Sequence, residues 1–469
     1  MNPTHRRGEI MVKKESQNHS NTQQARNHQK HNPLSLKQRV EQYFQLPTKG
    51  SNIKTEFLAG FTIFLSMLYA IPVSAEILSQ AGMPKEALIT AITLITILST
   101  LVCGIYANTP VTMSVGMGLN AYFTYGVVQG YGISWQQGLG IVFVSGLIFA
   151  LISLSNFRVW ILKSIPKNLR FALCVGLGAF LATIGLKDLE IFTLQNDNLL
   201  LGDLSHITTL LGIVGIMVAL VLYVLKVKGA FILTIALLSG IGFLFEITQT
   251  PTQIFSSPAS IAPIALELDV FGILKFAFVP VILMLMVTDL FDSLGTLSGI
   301  GIKANLFYGL DHTERDTPLE RTLQIDAVAT MAGGLLGTST TTSFLESASG
   351  TAAGGRSGLS AVFAALFFCL TLFILPLFLS IPSFAIYPIL VVIGAFMFLE
   401  ISHIDFSDTD SLIASFFIIL LMPLTTSITI GLSAGFLVYL LLIITQGHWS
   451  KISGGLLCIT FLSVIPFIF

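Results

Sequence analysis

What this sequence has least of is charge. Asp, Glu, Lys and Arg make up 10% of its 469 residues, against roughly 25% in soluble proteins. With 53% hydrophobic residues and a mean hydropathy of +0.82, an ordinary soluble domain is excluded and most of the chain lives in lipid. Cysteine is scarce as well. Cys103, Cys174, Cys369 and Cys458 all fall inside apolar runs, which argues against a disulfide framework and makes them small core residues. The N-terminus lacks the apolar core and cleavage site of a signal peptide. No Arg lies deep in any apolar run, as an anion cavity would want, and no Asn, Gln and Trp cluster suggests a sugar.

The charge that is present is unevenly spread. Ten of the 24 Lys and Arg fall in the first 55 residues. Residues 1–50, rich in Asn, Gln, His, Lys and Arg without apolar periodicity, read as a disordered basic cytoplasmic tail and not as a nucleic-acid-binding arm. Apolar runs follow, each near the ~20 residues that a bilayer requires. They predict helices at about 55–79, 84–106, 110–128, 134–155, 166–186, 206–225 and 229–247. A second set falls at about 271–300, 320–337, 338–354, 357–380, 386–402, 410–424 and 426–446, with a shorter apolar tail at 455–469 lying against the bundle. Loop charges fit fourteen crossings with the N-terminus inside. Arg158, Lys163, Lys167, Arg170, Lys226, Lys228, Lys303, Arg315, Arg321, Arg356 and Lys451 fall on one side, and the acidic 187–205 loop on the other. The acidic 403–410 loop is the weak member of that pattern.

Two crossings are abnormal. The third reads Val111-Thr112-Met113-Ser114-Val115-Gly116-Met117-Gly118-Leu119-Asn120. The tenth reads Thr338-Ser339-Thr340-Thr341-Thr342-Ser343-Phe344-Leu345-Glu346-Ser347-Ala348-Ser349-Gly350. Each opens with a β-leaning run and turns into a short helix carrying a polar residue. Irregular backbone at membrane depth survives only when buried in protein or lining a cavity. A carboxylate there costs roughly 2.5–3.5 kcal/mol, so Glu346 marks a site. Third and tenth of fourteen are equivalent places in two halves of seven, and an odd number per half makes the halves run oppositely across the membrane. Paired broken segments in such an inverted repeat point to a transporter's binding site, where the half-helix N-termini could offer free N–H groups.

The eighth crossing adds Asp289 and Asp292, three apart and therefore on one helix face. Two carboxylates close together in a dry place cannot both ionise easily, which suits a proton carrier; capping a helix end near water is the plainer reading. Thr296 stands one turn past Asp292 as a hydrogen-bond partner. Glu346 is a fixed acceptor for N–H groups, whereas Asn120 both donates and accepts. A planar heterocycle with N–H donors and ring acceptors fits that set, with Phe344 as a stacking face and Ser343 beside it. Tyr69 and Tyr122 read as packing, Glu76 and Asp326 as helix-end or structural residues, and Arg356 as a topology anchor.

These residues resemble the AzgA-like purine permeases, a branch of the nucleobase–cation symporters related to the nucleobase–ascorbate transporters. The resemblance runs from about Thr55 to Gln446. It is carried by Thr55-Glu56-Phe57-Leu58-Ala59-Gly60, Gly116 to Phe123, Asp289-Leu290-Phe291-Asp292-Ser293-Leu294-Gly295-Thr296, and the tenth-crossing stretch through Arg356. It implies two inverted seven-helix repeats, with a core domain (51–155 and 270–380) and a gate domain (156–250 and 381–447), followed by the tail 448–469. It also implies proton symport of adenine, guanine or hypoxanthine, with no other cofactor, and a homodimer formed through the gate in the cytoplasmic membrane. Asn120, Asp289, Asp292 and Glu346 fall on the family's important polar positions. The chain departs from the family at Val73-Ser74-Ala75, in place of Val-Asn-Pro, at Ser293, in place of Thr, and at Phe344, in place of Tyr. These departures bear on which purine is preferred.

Two other classes stay open at this stage. Asp-x-x-Asp also serves magnesium in membrane prenyltransferases, which need a second acidic motif with basic residues beside it. An anion carrier of the same fold would place a basic residue near the broken helices, whereas Arg356 stands ten residues past Glu346.

Overall fold

The computed structural model describes residues 35–153, 165–195, 198–251, 253–304, 317–449 and 452–468. The first half contains α1 (Leu36–Tyr43), α2 (Ile53–Met67), α3 (Ala70–Ser79), α4 (Lys85–Val102), strand β1 (Met113–Val115), α5 (Met117–Ala121), α6 (Trp135–Ser153), α7 (Lys167–Asp188), strands β2 (Phe192–Gln195) and β3 (Asn198–Leu201), α8 (Ile207–Val224) and α9 (Ala230–Leu244). The second contains α10 (Val279–Ala304), α11 (Pro318–Leu336), strand β4 (Thr341–Ser343), α12 (Ser347–Ala352), α13 (Gly358–Thr371), α14 (Leu375–Leu379), α15 (Ser383–Phe398), α16 (Thr409–Thr425), α17 (Ile428–Thr445) and α18 (Gly454–Leu462).

Among the described residues, eight helical stretches are long and apolar enough to cross a membrane. The shorter apolar helices α9, α13 and α16, the more polar α11, and the two broken segments β1–α5 and β4–α12 occupy the other six places of the fourteen. The first crossing is itself interrupted at Leu68 and Tyr69, between α2 and α3. Pro72 has no N–H to return to the carbonyl of Leu68, so the helix loosens there.

The packing repeats with the crossings. Seven places apart, crossings 5 and 12 (α7 and α15) pack on each other, and the strands of crossings 3 and 10 pair. The contact of α2 with α13 is mirrored by α10 with α6, that of α11 with α6 by α4 with α13, and that of α16 with α7 by α8 with α15. Exchanging each crossing for its counterpart thus carries these contacts onto one another, as an inverted repeat requires.

Several expectations need correction. Residues 1–34 of the expected tail lie outside the described residues, but 35–50 are structured. Ser35 and Gln38 form a reciprocal cap that starts α1. Phe44 and Leu46 are buried against Leu359, Tyr43 Oη donates to the Ile105 carbonyl at 3.0 Å, and Lys49 Nζ to that of Asn108 at 2.9 Å. Apolar residues hidden among polar ones are enough to dock this stretch. The 187–205 loop contains the β2–β3 hairpin, which no alternation announced. All four cysteines are free, but Cys458 is exposed and only Cys103 is buried. The 455–469 segment does lie on the bundle, through buried Leu456 and Ile465 against α17. Arg356 does more than anchor topology: its Nη1 donates to the carbonyls of Thr351 at 2.6 Å and Gly355 at 2.8 Å, closing the end of α12. Its backbone N–H and that of Ser360 donate to buried Glu56 at 3.0 and 3.2 Å, which ties crossing 1 to crossing 11.

How the chain enters β4 depends on Gly337. It follows α11 with φ of 86°, in the left-handed region, while Thr338 N–H returns to the Gly333 carbonyl at 2.8 Å. An added Cβ would stand 2.7 Å from the Ile264 carbonyl oxygen. Gly337→Ala therefore carries about 1–2 kcal/mol of backbone cost in addition to that clash. The expected outcome is a lower melting temperature of the detergent-purified protein, and wild-type melting would contradict this role.

Candidate functional site

The two broken crossings meet at their strands. β1 and β4 pair antiparallel, with Met113 opposite Ser343, Ser114 opposite Thr342 and Val115 opposite Thr341, all six buried. Gly116 N–H to the Thr340 carbonyl and Phe344 N–H to the Thr112 carbonyl, both 3.0 Å, lengthen the ladder at its ends. Each strand thus satisfies the other's backbone where no water can. Side chains lock the pair to its surroundings. Thr96 Oγ1 lies 2.6 Å from Ser114 Oγ, and Thr112 Oγ1 lies 2.8 Å from Ser347 Oγ. Thr330 Oγ1 on α11 accepts from Thr341 N–H at 3.1 Å and lies 2.9 Å from the Thr341 carbonyl oxygen.

The predicted residues gather around this strand pair. Glu346 directly precedes α12, and its Oε1 accepts from the Tyr69 hydroxyl at the break in the first crossing. Asn120 is fully buried on α5; its Oδ1 accepts from Ser339 Oγ, while its Nδ2 has no protein partner. Asp289 is fully buried on α10, with Oδ2 accepting from Thr330 Oγ1 at 2.8 Å and Oδ1 unpartnered. Asp292, half-buried one turn on, takes its hydroxyl partner from across the core, Thr342 Oγ1 at 3.2 Å, in place of the expected Thr296. Thr342 is better placed because β4 runs along α10. Ser343 contributes its N–H to Ser293 Oγ at 3.4 Å and leaves its own Oγ buried without a partner, and Phe344 is 4% exposed. A buried polar atom without a partner costs ~1–3 kcal/mol, and an amide donor, a carboxylate oxygen and a hydroxyl stand unpaired around this strand pair.

The second half-helix differs from expectation. The N–H groups of Ser347, Ala348 and Ser349 are taken by the carbonyls of Phe344, Leu345 and Glu346 at 3.1, 2.9 and 2.9 Å. The chain turns into α12 through residues already in a turn, so those donors are not free.

Two residues set aside on sequence grounds belong here. Tyr69 has no exposed surface, holds Glu346, and packs its ring edge-on against Phe231 of α9 with centroids 4.9 Å apart. Asp326 is buried on α11, one turn before Thr330, and accepts from Ser293 Oγ at 2.5 Å. Its spacing of four from Thr330 was the available signal, because it puts both on the face turned to α10. Glu76 does sit at a helix end, paired with Lys85 at 2.5 Å. Among the described residues, no group of three or more His, Cys, Asp or Glu side chains converges to hold a metal ion.

Comparison with known proteins gives the chain's family and fold. Residues 54–434 match the Permease family Xan_ur_permease. The adenine permease AdeQ of Escherichia coli is 34% identical over 378 residues, covering 80% of this chain and 84% of its own length. The guanine/hypoxanthine permease PbuO of Bacillus subtilis is 33% identical over 384 residues, 80% of this chain and 88% of that protein. Among solved structures, the transmembrane domain of the cyanobacterial bicarbonate transporter BicA aligns with a TM-score of 0.60 at 16% identity, covering 81% of this chain and 96% of that one. Murine Slc26a9, an anion transporter, aligns with a TM-score of 0.60 at 10% identity, covering 91% and 75%. These structures share the fold. The relatives are named as permeases, which sets the enzyme class aside. The chain is a multi-pass membrane transporter and belongs to the Xan_ur_permease family, among its purine nucleobase permeases.

Proposed function

We propose that this protein imports adenine, guanine or hypoxanthine with protons across the cytoplasmic membrane, with its N-terminus cytoplasmic. The observation that carries the reading is the pairing of two opposite functions at the strand crossing. Asn120 keeps a buried amide donor unpaired, and Glu346 offers a carboxylate that a single tyrosine hydroxyl holds. A purine presents ring N–H groups to a carboxylate and a ring nitrogen or carbonyl to an amide. Phe344 supplies an apolar face beside Glu346, with Ser343 and Asp292 as further polar contacts. The names of the relatives support the same substrate class. An anion would instead meet carboxyl groups at this place.

Asp289 and Asp292 couple the proton: three residues apart on α10, they face the hydroxyls of Thr330 and Thr342. Crossings 1–4 and 8–11 form the core that carries the site, and crossings 5–7 and 12–14 form the gate, packed chiefly through α7, α15, α16 and α17. Transport moves the core against the gate as an elevator, and the gate pairs two copies into a homodimer. Tyr69 against Phe231 and Tyr122 against Thr429 are contacts between the two bodies that such a movement breaks.

The test is uptake of radiolabelled hypoxanthine, guanine and adenine by cells lacking their own purine permeases, with and without a protonophore. Saturable uptake abolished by the protonophore is expected. No uptake of any purine by protein shown to reach the membrane would overturn the substrate class. A hydrogen bond to a charged group contributes ~1.5–3 kcal/mol. Glu346→Ala is therefore expected to raise the apparent KM by tenfold or more, about one decade per 1.4 kcal/mol, at unchanged membrane abundance. Unchanged uptake would remove Glu346 from the site. Asp289→Asn is expected to abolish protonophore-sensitive accumulation, whereas accumulation at the wild-type level would assign coupling elsewhere.

A further inference from the structure

A line of hydroxyls joins Asp326, which the function above does not use, to Asp292, which it does. Asp326 Oδ2 lies 2.5 Å from Ser293 Oγ, Ser293 Oγ 2.8 Å from Thr342 Oγ1, and Thr342 Oγ1 3.2 Å from Asp292 Oδ2. These are three oxygen–oxygen contacts in series. The two hydroxyls between them bring two hydrogens, and an ionised carboxylate brings none. All three contacts are hydrogen bonds only if one of the end carboxyl groups carries a proton. With the proton on Asp326 the line points one way, and with it on Asp292 it points the other.

The surroundings favour a proton here over a charge. Asp326 has no exposed surface, and its Oδ1, like that of Asp289, is buried without a partner. The titratable groups facing Asp326 are Asp289 and Asp292 of α10 and Cys103 at the end of α4. Residues 135–153 of α6, which pack on α11, contain none. Glu346 faces Asp292 from the other side, Arg170 of α7 lies over Phe291 at 5.9 Å, and Glu320 and Arg321 stand in the first turn of α11 itself. Among the described residues no ion pair is formed by Asp289, Asp292 or Asp326. Three carboxyl groups buried this way, none of them in an ion pair, cannot all be charged.

We propose that Asp326 is a proton-carrying residue of the transport cycle, exchanging its proton with Asp292 through Ser293 and Thr342. In the step, the Asp292 acid gives its proton to Thr342 Oγ1 as the hydrogen already on that oxygen passes to Ser293 Oγ. The Ser293 hydrogen in turn passes to the Asp326 carboxylate. Each hydroxyl loses one O–H bond and gains one, so the net change is one proton moved from Asp292 to Asp326. No electrons are transferred. The departure from Thr to Ser at 293 keeps the hydroxyl that the line needs. The assignment rests on the proton-coupled reading above.

The test uses the full-length protein in proteoliposomes, with radiolabelled hypoxanthine and two modes of uptake: accumulation driven by an imposed pH gradient, and exchange without one. A substrate-independent readout accompanies them, the infrared C=O band of protonated carboxyl groups. Asp326→Asn is expected to lose gradient-driven accumulation and the pH dependence of uptake, and to lose intensity in that band. Ser293→Ala, which keeps both carboxyl groups, is expected to lose accumulation and shift the band, and Asp326→Glu to restore part of both. Accumulation, pH profile and infrared band at wild-type values in Asp326→Asn and Ser293→Ala would overturn the proposal. If Asp326→Asn does not fold, Ser293→Ala decides alone. Wild-type protein that shows the band but takes up no hypoxanthine would count against the purine reading, and the response of the band to Ser293→Ala would still decide the relay.

Discussion

Two strands of three residues, paired antiparallel inside the bundle, are the constraint on which the rest of this structure depends. Polar backbone cannot stand alone among lipid-facing helices, and each strand is the other's solvent. Because β1 and β4 come from equivalent crossings of opposed halves, their pairing is also where the two repeats are joined. One short helix that leaves the strands carries Asn120 and the other follows Glu346, so the interaction that makes the irregular backbone tolerable also positions both residues. Thr330, Thr96 and Ser347 hold the pair from three further helices. The strand pair is thus held from several sides at once.

Around that rigid element the polar groups fall into two sets. Asn120, Glu346 and Phe344 lie toward the helix breaks, where the first crossing also loosens at Tyr69. Asp289, Asp292 and Asp326 lie between α10, α11 and β4, bridged by hydroxyls. Thr342 belongs to both settings: its backbone is in the ladder and its hydroxyl is on the carboxyl line. In the proposed cycle a purine settling against β4 would therefore be felt by the carboxyl groups without touching all of them. Differential contact of this kind is what couples one bound species to another.

Much of this was legible in the sequence because lipid enforces simple rules. Runs of about 20 apolar residues, a hydroxyl-rich interruption at 338–350 and an equivalent one at 111–120 were enough to number the crossings and to single out two segments as a candidate site. Asp289 and Asp292 announced themselves by their spacing. What stayed hidden depended on three-dimensional neighbours. Tyr69 looks like any aromatic in a helix, yet it stands at the break between α2 and α3 with its hydroxyl on Glu346. Asp326 sits in an unremarkable helix and matters because Ser293, distant in sequence, reaches it. Leu36–Tyr43 has too little apolar character to predict a docked helix, and docking came from Phe44 and Leu46 just beyond it. The Thr296 expectation failed for a related reason: helix spacing named a neighbour, but a strand from another crossing lay closer.

The central claim is that a purine binds where the two broken crossings meet, between the Asn120 amide and the Glu346 carboxylate. A cryo-electron microscopy structure of the protein in lipid nanodiscs with hypoxanthine tests it most directly. The account predicts a planar ligand against Phe344, within hydrogen-bonding distance of Glu346 Oε1 or Oε2 and of Asn120 Nδ2, with β1 and β4 still paired. A ligand bound elsewhere, with Asn120 Nδ2 still unpartnered and Glu346 held by Tyr69 alone, would contradict it.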